Sequence, residues 1–430
     1  MKEKIGIIAD DFTGANDTGV QLAKKGYHSS VMLEVENVAL DESKDVTVVD
    51  TNSRALPEKD AYEAVHHAAS FFLDNRITVL YKKVDSTLRG NIGPELEAMQ
   101  EAVNPDIVVV APAYPKMGRT TKDGNHYVED RLVSETEFGK DPKTPVAESN
   151  IVQLIKPYSI GEVTNLTRNQ LNTEDLETFI NNKVGQNPHW FVCDAKSEED
   201  LKKIAEKFAE LPYKVVWVGS AGLIEYLPEG LSLESDTEIV GKEDIRIDRT
   251  LTVSGSLSEI TKQQLLELAT IDSVRMIEVD PLQILEGTLV DDSFLGREKE
   301  KKDLVVYVDN NEENRKAAME FAEKNGLSKG EVGSKISKGL GQIAKRILSS
   351  ASIDGLVLTG GDTAKDVCLA MNVVDMELLD EIETGVPLGR ISFSDQKLWT
   401  ITKAGGFGNK ETLKNALYHM KGMKQTYDAK

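Results

Sequence analysis

At 430 residues the chain is too long for one ordinary hydrophobic core, and two α/β domains, each burying its own, are the natural division. Its 72 acidic and 51 basic residues leave a formal charge of −21, which argues against nucleic acid or an anionic membrane as general partner and demands a local basic site for any anionic ligand. Two cysteines, Cys193 and Cys368 in apolar surroundings, are too few for a metal cluster or a disulfide framework and fit a reducing compartment. The apolar run in MKEKIGIIADD is too short for a signal peptide and no stretch reaches membrane-spanning length, so a cytosolic protein is expected.

Ile5, Ile7 and Ile8 form an apolar run without alternation, which suits a parallel strand covered on both faces. Asp10 and Asp11 leave the sheet at its carboxyl end, where open α/β sheets bind ligands, and Thr13 and Gly14 begin a helix ending near Gly26. One of the two aspartates can be a helix cap; both cannot, since one cap needs one side chain. VTVVD, residues 46 to 50, repeats the strand-to-carboxylate pattern and leads to Asn52, Ser53 and Arg54, the first credible anion hook. Ala61 to Leu73 has helical apolar spacing, with His66 and His67 as surface or packing residues. The strand expected over Ile77 to Val84 runs into KKVDSTLRGNIGPE. There Lys82, Lys83, Asp85, Ser86, Arg89 and Asn91 crowd a strand end, with Gly90 and Gly93 letting backbone approach a ligand. DIVVVA, residues 106 to 111, exits into a long loop whose Arg119, Thr120, Thr121 and His126 are candidates to line or close a site. Residues 133 to 159 read as a cover, WFVCDA and KVVWVGSAGL as further strand exits, and Ser197 as a helix N-cap.

From Pro228 to Arg249 apolar periodicity is lost and charge rises, which places the domain boundary there. Thr250 to Ser254 restarts the pattern with a strand into SGSLSE, where Ser256 and Glu259 have capping-box form. GLVLTGGDTAKDVC, residues 355 to 368, runs a buried strand into Gly360, Gly361, Asp362 and Thr363 at a helix start. Paired glycines there let backbone N–H groups and the helix dipole face a polyanion. Neither a Walker A loop nor a full dinucleotide fingerprint occurs. A second glycine-rich exit, KAGGFGN, carries Lys403, Gly405, Gly406 and Gly408, and two such exits can grip one nucleotide from two sides.

ADDFTGANDTG (residues 9 to 19), KKVDSTLRGN (82 to 91), the GRTT spacing from Gly118, SGSLS, GGDT and KAGGFGN together resemble the four-carbon acid sugar kinases. That two-domain family was once defined only as a domain of unknown function, and its members phosphorylate threonate, erythronate or 3-oxo-tetronate with ATP. The resemblance covers nearly the whole chain, in order, with little to match between about residues 130 and 180. It implies an ATP-dependent kinase acting on the terminal hydroxyl of a four-carbon acid sugar. The implied architecture is α/β in two domains, each a mostly parallel sheet flanked by helices: 1–235 for the acid sugar and 245–430 for the nucleotide, across a cleft. Asp11 is the candidate proton acceptor, with Asp10 or Asp85 as rival. Arg54, Lys83, Ser86 and Arg89 join Asp11 and Asp85 around the substrate. Ser256, Ser258, Gly360, Gly361, Asp362, Thr363, Gly405 and Gly406 would meet ATP, with Mg²⁺ bridging its phosphates through water or a carboxylate such as Asp362. Self-association into a homo-oligomer stays open. A nucleotide-dependent dehydrogenase, disfavoured by the missing fingerprint, and a sugar-acid sensor without turnover are the competing readings.

Overall fold

In the computed structural model the described residues are 3–36, 38–141, 143–173, 175–185, 187–235, 247–288 and 302–422. The chain divides into two compact units, Met1–Ile239 and Val240–Lys430; the junction expected between residues 235 and 245 lies outside the described residues from 236 to 244. Among the described residues no helix is long and apolar enough to cross a membrane.

In the first unit the Val- and Ile-rich runs become strands buried on both faces: β1 (Ile5–Ala9), β2 (Ser29–Met32), β3 (Val46–Asp50), β4 (Val79–Lys83) and β5 (Ile107–Ala111). A small antiparallel sheet follows, β6 (Arg119–Lys122), β7 (Asn125–Val128) and β8 (Arg131–Leu132), and then β9 (Val163–Leu166), β10 (His189–Cys193) and β11 (Val215–Gly219). The main sheet has the order β2-β3-β1-β4-β11-β5-β10-β9, and every pairing is parallel. Strand order reverses about β1, so the crevice at carboxyl ends that such sheets offer to ligands opens beside Asp10. The helix Phe12–Ala23 is buried along its whole length and ends before Gly26, whose φ of +87° is the left-handed stop expected of it. The helix expected from Ala61 runs over Glu58–Asp74, and Ser197 caps Glu198–Ala209 in a full capping box with Asp200.

The second unit contains β12 (Thr250–Ser254), β13 (Val274–Glu278), β14 (Asp303–Tyr307), β15 (Gly355–Thr359), β16 (Asp375–Glu383), β17 (Val386–Phe393) and β18 (Gln396–Lys403), ordered β13-β14-β12-β15-β18-β17-β16. The first five strands of that order are parallel. β17 runs antiparallel to both β18 and β16, so the mostly parallel sheet carries an antiparallel flank. Strand order again reverses about the first strand of the unit, β12.

Candidate active site

β1, β3 and β4 are in lateral register from Ala9 to Asp50 and Lys83, so Asp10, the Arg54 loop and Asp85 leave the sheet at one level. Arg54 stands among them. Its Nε donates to Asp10 Oδ2 at 2.7 Å and its Nη2 to Asp10 Oδ1 at 2.9 Å. Nη1 donates to Asp11 Oδ2 at 3.0 Å and Nη2 to Asp11 Oδ1 at 2.6 Å, while Asp85 Oδ1 lies 3.8 Å from Nη2. Asn91 ties the loop down, its Nδ2 donating to the carbonyls of Ser53 at 2.9 Å and Leu56 at 2.8 Å. Gly90 passes over the clamp at φ +97°, and a Cβ there would stand 3.1 Å from Arg54 Cγ and 3.3 Å from Asp10 Oδ2. Only glycine allows so close a turn in that conformation. Asp85 also receives Arg89, from Nε at 2.7 Å and Nη2 at 3.2 Å, and Arg89 Nη1 reaches Asp141 of the covering segment at 3.5 Å.

Burial alone would lift the Asp10 carboxyl, but the Arg54 charge and hydrogen bond, with Lys82 and Lys83 behind, hold it below the usual carboxylate range. Burial likewise opposes ionisation of Asp85, and Arg89, Arg54 and Lys83 hold it well below that range. Both are charged and committed to arginine. Asp11 differs in access: its side chain is 23% exposed, against 2% for Asp10 and 11% for Asp85. It is also the helix cap, accepting Gly14 N–H at 3.0 Å, so the capping and site readings fall on the same residue.

The pleat of β4 separates the adjacent lysines. Lys83 reaches toward the helix start, where a Cβ on Gly14 would lie 2.8 Å from its Nζ. Lys82 turns to the other face, fully buried and 2.9 Å from Glu95 Oε2, while Ser53 Oγ donates to Glu95 Oε1 at 2.5 Å. Ser86 is half-buried, and its carbonyl accepts from His126 Nε2 at 2.8 Å. His126 is fully buried, its Nδ1 faces Thr121 Oγ1 at 3.1 Å, and burial pushes its imidazole down to about 4. Thr121 is equally buried, and with Thr120 it borders a cavity of about 540 Å³ shared with Lys122, Tyr127 and Asp194.

The second unit repeats the side-by-side exits. Ser254, Thr359 and Lys403 are in register across β12, β15 and β18. The loops beginning at Gly255, Gly360 and Ala404 therefore start together. A Cβ on Gly405 would lie 2.2 Å from Ser256 Oγ and 3.6 Å from Ser258 Cβ, and one on Gly255 would lie 2.3 Å from Thr363 Oγ1. Gly360 has φ +98° and would bring a Cβ to 3.5 Å from Ser256 N and Thr363 Oγ1. Ser256, Ser258, Gly360, Thr363 and Gly405 thus share one cradle. Gly361 and Asp362 open the helix Gly361–Ala370, whose N-cap Gly360 offers no side chain, so its first-turn N–H groups suit an anion. A Cβ on Gly406 meets nothing within 4 Å. The capping box expected at Ser256 is absent: Ser258 is the N-cap of Glu259–Leu268, without a side-chain cap bond, and Ser256 Oγ instead accepts Ser258 N–H at 3.2 Å.

Lys403 holds the third loop from behind. Its Nζ donates to the carbonyls of Ala404 at 2.7 Å, Gly405 at 3.1 Å and Phe407 at 3.1 Å, and burial pushes its ammonium down to about 7 against the pull of Glu383. Thr261 Oγ1 adds a bond to Gly405 O at 2.7 Å, and Gln264 Nε2 one to Asn409 O at 2.7 Å. Sequence patterns single out neither Thr261 nor Gln264, since both sit inside an ordinary amphipathic helix.

An arginine-centred carboxylate cluster stands at the strand exits of one α/β unit and a glycine-walled cradle at those of the other. Residues 5–227 match the family model of a sugar-binding N-terminal domain, and residues 251–413 that of a nucleotide-binding C-terminal domain. The chain is 34% identical to a D-threonate kinase of Salmonella typhimurium over 98% of its own length and 99% of the relative's. It is 31% identical to a D-erythronate kinase of Heliobacterium modesticaldum, covering 94% of each, and 28% identical to a 3-oxo-tetronate kinase of Pseudomonas fluorescens, covering 97% of each. The chain belongs to the four-carbon acid sugar kinase family, formerly a domain-of-unknown-function family. Two solved structures share its fold: a Haemophilus influenzae protein at 23% identity with a TM-score of 0.75, and a Salmonella typhimurium protein at 22% with 0.77, each covering 96% of this chain and nearly all of its own.

Proposed function

We propose that the protein transfers the terminal phosphoryl group of ATP to the terminal hydroxyl of a four-carbon sugar acid of the threonate, erythronate or 3-oxo-tetronate type. The sugar acid belongs to the domain spanning 1–235 and the nucleotide to that spanning 245–430. One observation carries this reading: an Arg54-centred polar cluster at the carboxyl ends of β1, β3 and β4 accompanies a side-chain-free helix start and close-packed glycine loops on β12, β15 and β18. Phosphoryl transfer asks mainly for positioning and for neutralised charge. Lys83, Arg89, Ser86 and the Arg54 guanidinium would receive the carboxylate and hydroxyls, while Asp10 and Asp85 hold the two arginines in place. Asp11, the most accessible of the three acids, would accept the proton of the attacking hydroxyl. Ser256, Ser258, Gly360, Gly361, Thr363, Gly405 and Gly406 would surround the phosphates.

Among the described residues no group of three or more acidic, histidine or cysteine side chains could hold a metal alone. Mg²⁺ in phosphoryl-transfer sites relies on one or two carboxylates plus phosphate oxygens and water. Asp362, in the first turn of the helix beside the cradle, fits the carboxylate part. When bound, Mg²⁺ would neutralise charge on the phosphates. The test is ADP release measured over a panel of four-carbon acids with ATP. Acid-dependent ADP formation is expected; absence of turnover across the panel, with the acids still binding, would replace the kinase with a sensor.

A further inference from the structure

A cavity of about 350 Å³ opens in the first unit beside the carboxylate cluster. Arg54, Gly90 and Asn91 line it from the strand exits, and residues 143 to 148 of the covering segment line it from the other side. That outer wall has two anchors. Val146 is buried in the core of the unit, and its N–H donates to the Phe138 carbonyl at 3.0 Å. The Asp141 N–H donates to the same carbonyl at 3.3 Å, so residues 141 and 146 close on one acceptor. Between the anchors the Asp141 side chain takes over: its Oδ1 accepts the N–H of Lys143 and the N–H of Thr144, each at 2.9 Å. Its Oδ2 faces Arg89 Nη1 at 3.5 Å, and the Arg89 guanidinium lies over the Phe138 ring, 5.3 Å from its centre. Arg89 is therefore held by Asp85 on the cluster side and by Phe138 and Asp141 on the cover side.

We propose that Asp141 is a positioning residue for the sugar acid, its Oδ1 latching residues 143 and 144 as the outer wall of the Arg54 cavity. The proposal rests on the kinase reading and extends it to a residue beyond the three acids of the cluster. Lys143, Pro145 and Ala147 are exposed, so apolar burial does little for the wall between its anchors, and the two bonds to Asp141 hold it instead. A wall ordered before the acid arrives adds no ordering cost to binding, whereas one that must be ordered at that moment weakens binding and leaves the transfer step alone.

The two oxygens of Asp141 separate the latch from the ion pair. Both latch bonds end on Oδ1 and the Arg89 contact on Oδ2. Asparagine keeps a carbonyl oxygen for the latch and replaces Oδ2 with an amide nitrogen; alanine removes both. The ion pair is the lesser of the two, since 3.5 Å between partly exposed groups contributes little beside the 2.7 Å bond from Arg89 Nε to Asp85. At 21% exposure, the Asp141 side chain can be truncated without opening a core void.

The test compares the full-length wild type with Asp141→Ala and Asp141→Asn, using threonate, erythronate and 3-oxo-tetronate, with dissociation constants from calorimetry and KM and kcat from ADP release. Asp141→Ala is expected to raise the Kd and KM for the acid about tenfold or more, while kcat at saturating acid stays within about threefold and the ATP KM within about twofold. Asp141→Asn is expected to restore acid binding to within about threefold of the wild type, because the latch survives. Unchanged acid affinity in a folded Asp141→Ala protein would overturn the proposal. So would an Asp141→Asn protein as impaired as Asp141→Ala, which would give the role to the Arg89 contact, or a loss in Asp141→Ala shared equally by ATP and acid, which would mark general damage to the fold. Failure of the kinase reading would show separately, as a wild type that binds the acids without releasing ADP, and the comparison of dissociation constants would still stand.

Discussion

Asp11 caps the Phe12–Ala23 helix and, like Asp10 and Asp85, pairs with an arginine, but its side chain is the most exposed of the three. Asp11→Asn keeps a cap of equal quality, so the fold and acid binding should survive. Its kcat is expected to fall about a hundredfold or more, the scale of a lost general base. Normal turnover in Asp11→Asn, with loss in Asp85→Asn, would move the proton acceptor to Asp85. Lys403 allows a pH test. Burial sets its ammonium near 7, so at pH 8 most molecules carry the neutral amine. Phosphates arriving at Gly405 bring negative charge close and raise that value again. ATP binding should therefore take up a proton at pH 8, and uptake should vanish as pH falls to 6, where the ammonium is already present. Calorimetry in buffers of different ionisation enthalpy reads this directly; zero uptake at pH 8 would place the phosphates away from the third loop.

At the scale of elements, the strand exits are the decisive parts, and Gly360 is the most constrained of them. A side chain at φ +98° is strained by roughly 1–3 kcal/mol, and it would also stand between the Ser256 amide and an approaching phosphate. Gly360→Val is expected to raise the ATP KM at least tenfold; an unchanged KM in a folded variant would reduce the loop to a packing device. The strands that frame these exits are readable because they are buried on both faces and show as mostly aliphatic runs, as in β1, β3, β5 and β15. β9, β13 and β16 are half-exposed, and the acidic side chains of MELLDEIE in β16 hide its alternation. Of the site, the residue types were legible and the partners were not. Arg54 read as a cation awaiting an anion, yet its carboxylates lie 43 and 44 residues back and meet it only through the register of β1 with β3. Lys82 and Lys83 looked alike in a charge-rich run, although the period of a strand already sends them to opposite faces. The cavity walled by Arg54, Gly90 and Thr144 comes from separated segments with no shared motif, so nothing short of a fold could assemble it.

For the whole molecule, two units with two polar centres imply separable defects. Arg54→Ala is expected to weaken sugar-acid binding at least tenfold with the ATP dissociation constant unchanged, and Gly360→Val to do the reverse. A single substitution that lowered both affinities equally in a folded protein would contradict the division of labour. The buried state of the Arg54 clamp reaches further, into the ionic strength at which the protein works best. Ions in solution screen exposed charges beyond a Debye length of about 10 Å at 0.1 M but act weakly on pairs inside protein. Asp10 is 2% exposed and the Arg54 side chain 17%, so added salt should leave the clamp intact. The same salt screens the −21 charge that pushes every anionic acid away from the surface. KM for the sugar acid should then fall as sodium chloride rises from roughly 0.02 to 0.2 M, opposite to the weakening seen when surface arginines hold an anion. A KM that climbs over that range would mean that the acid is captured by exposed cations and never shares the Arg54 centre.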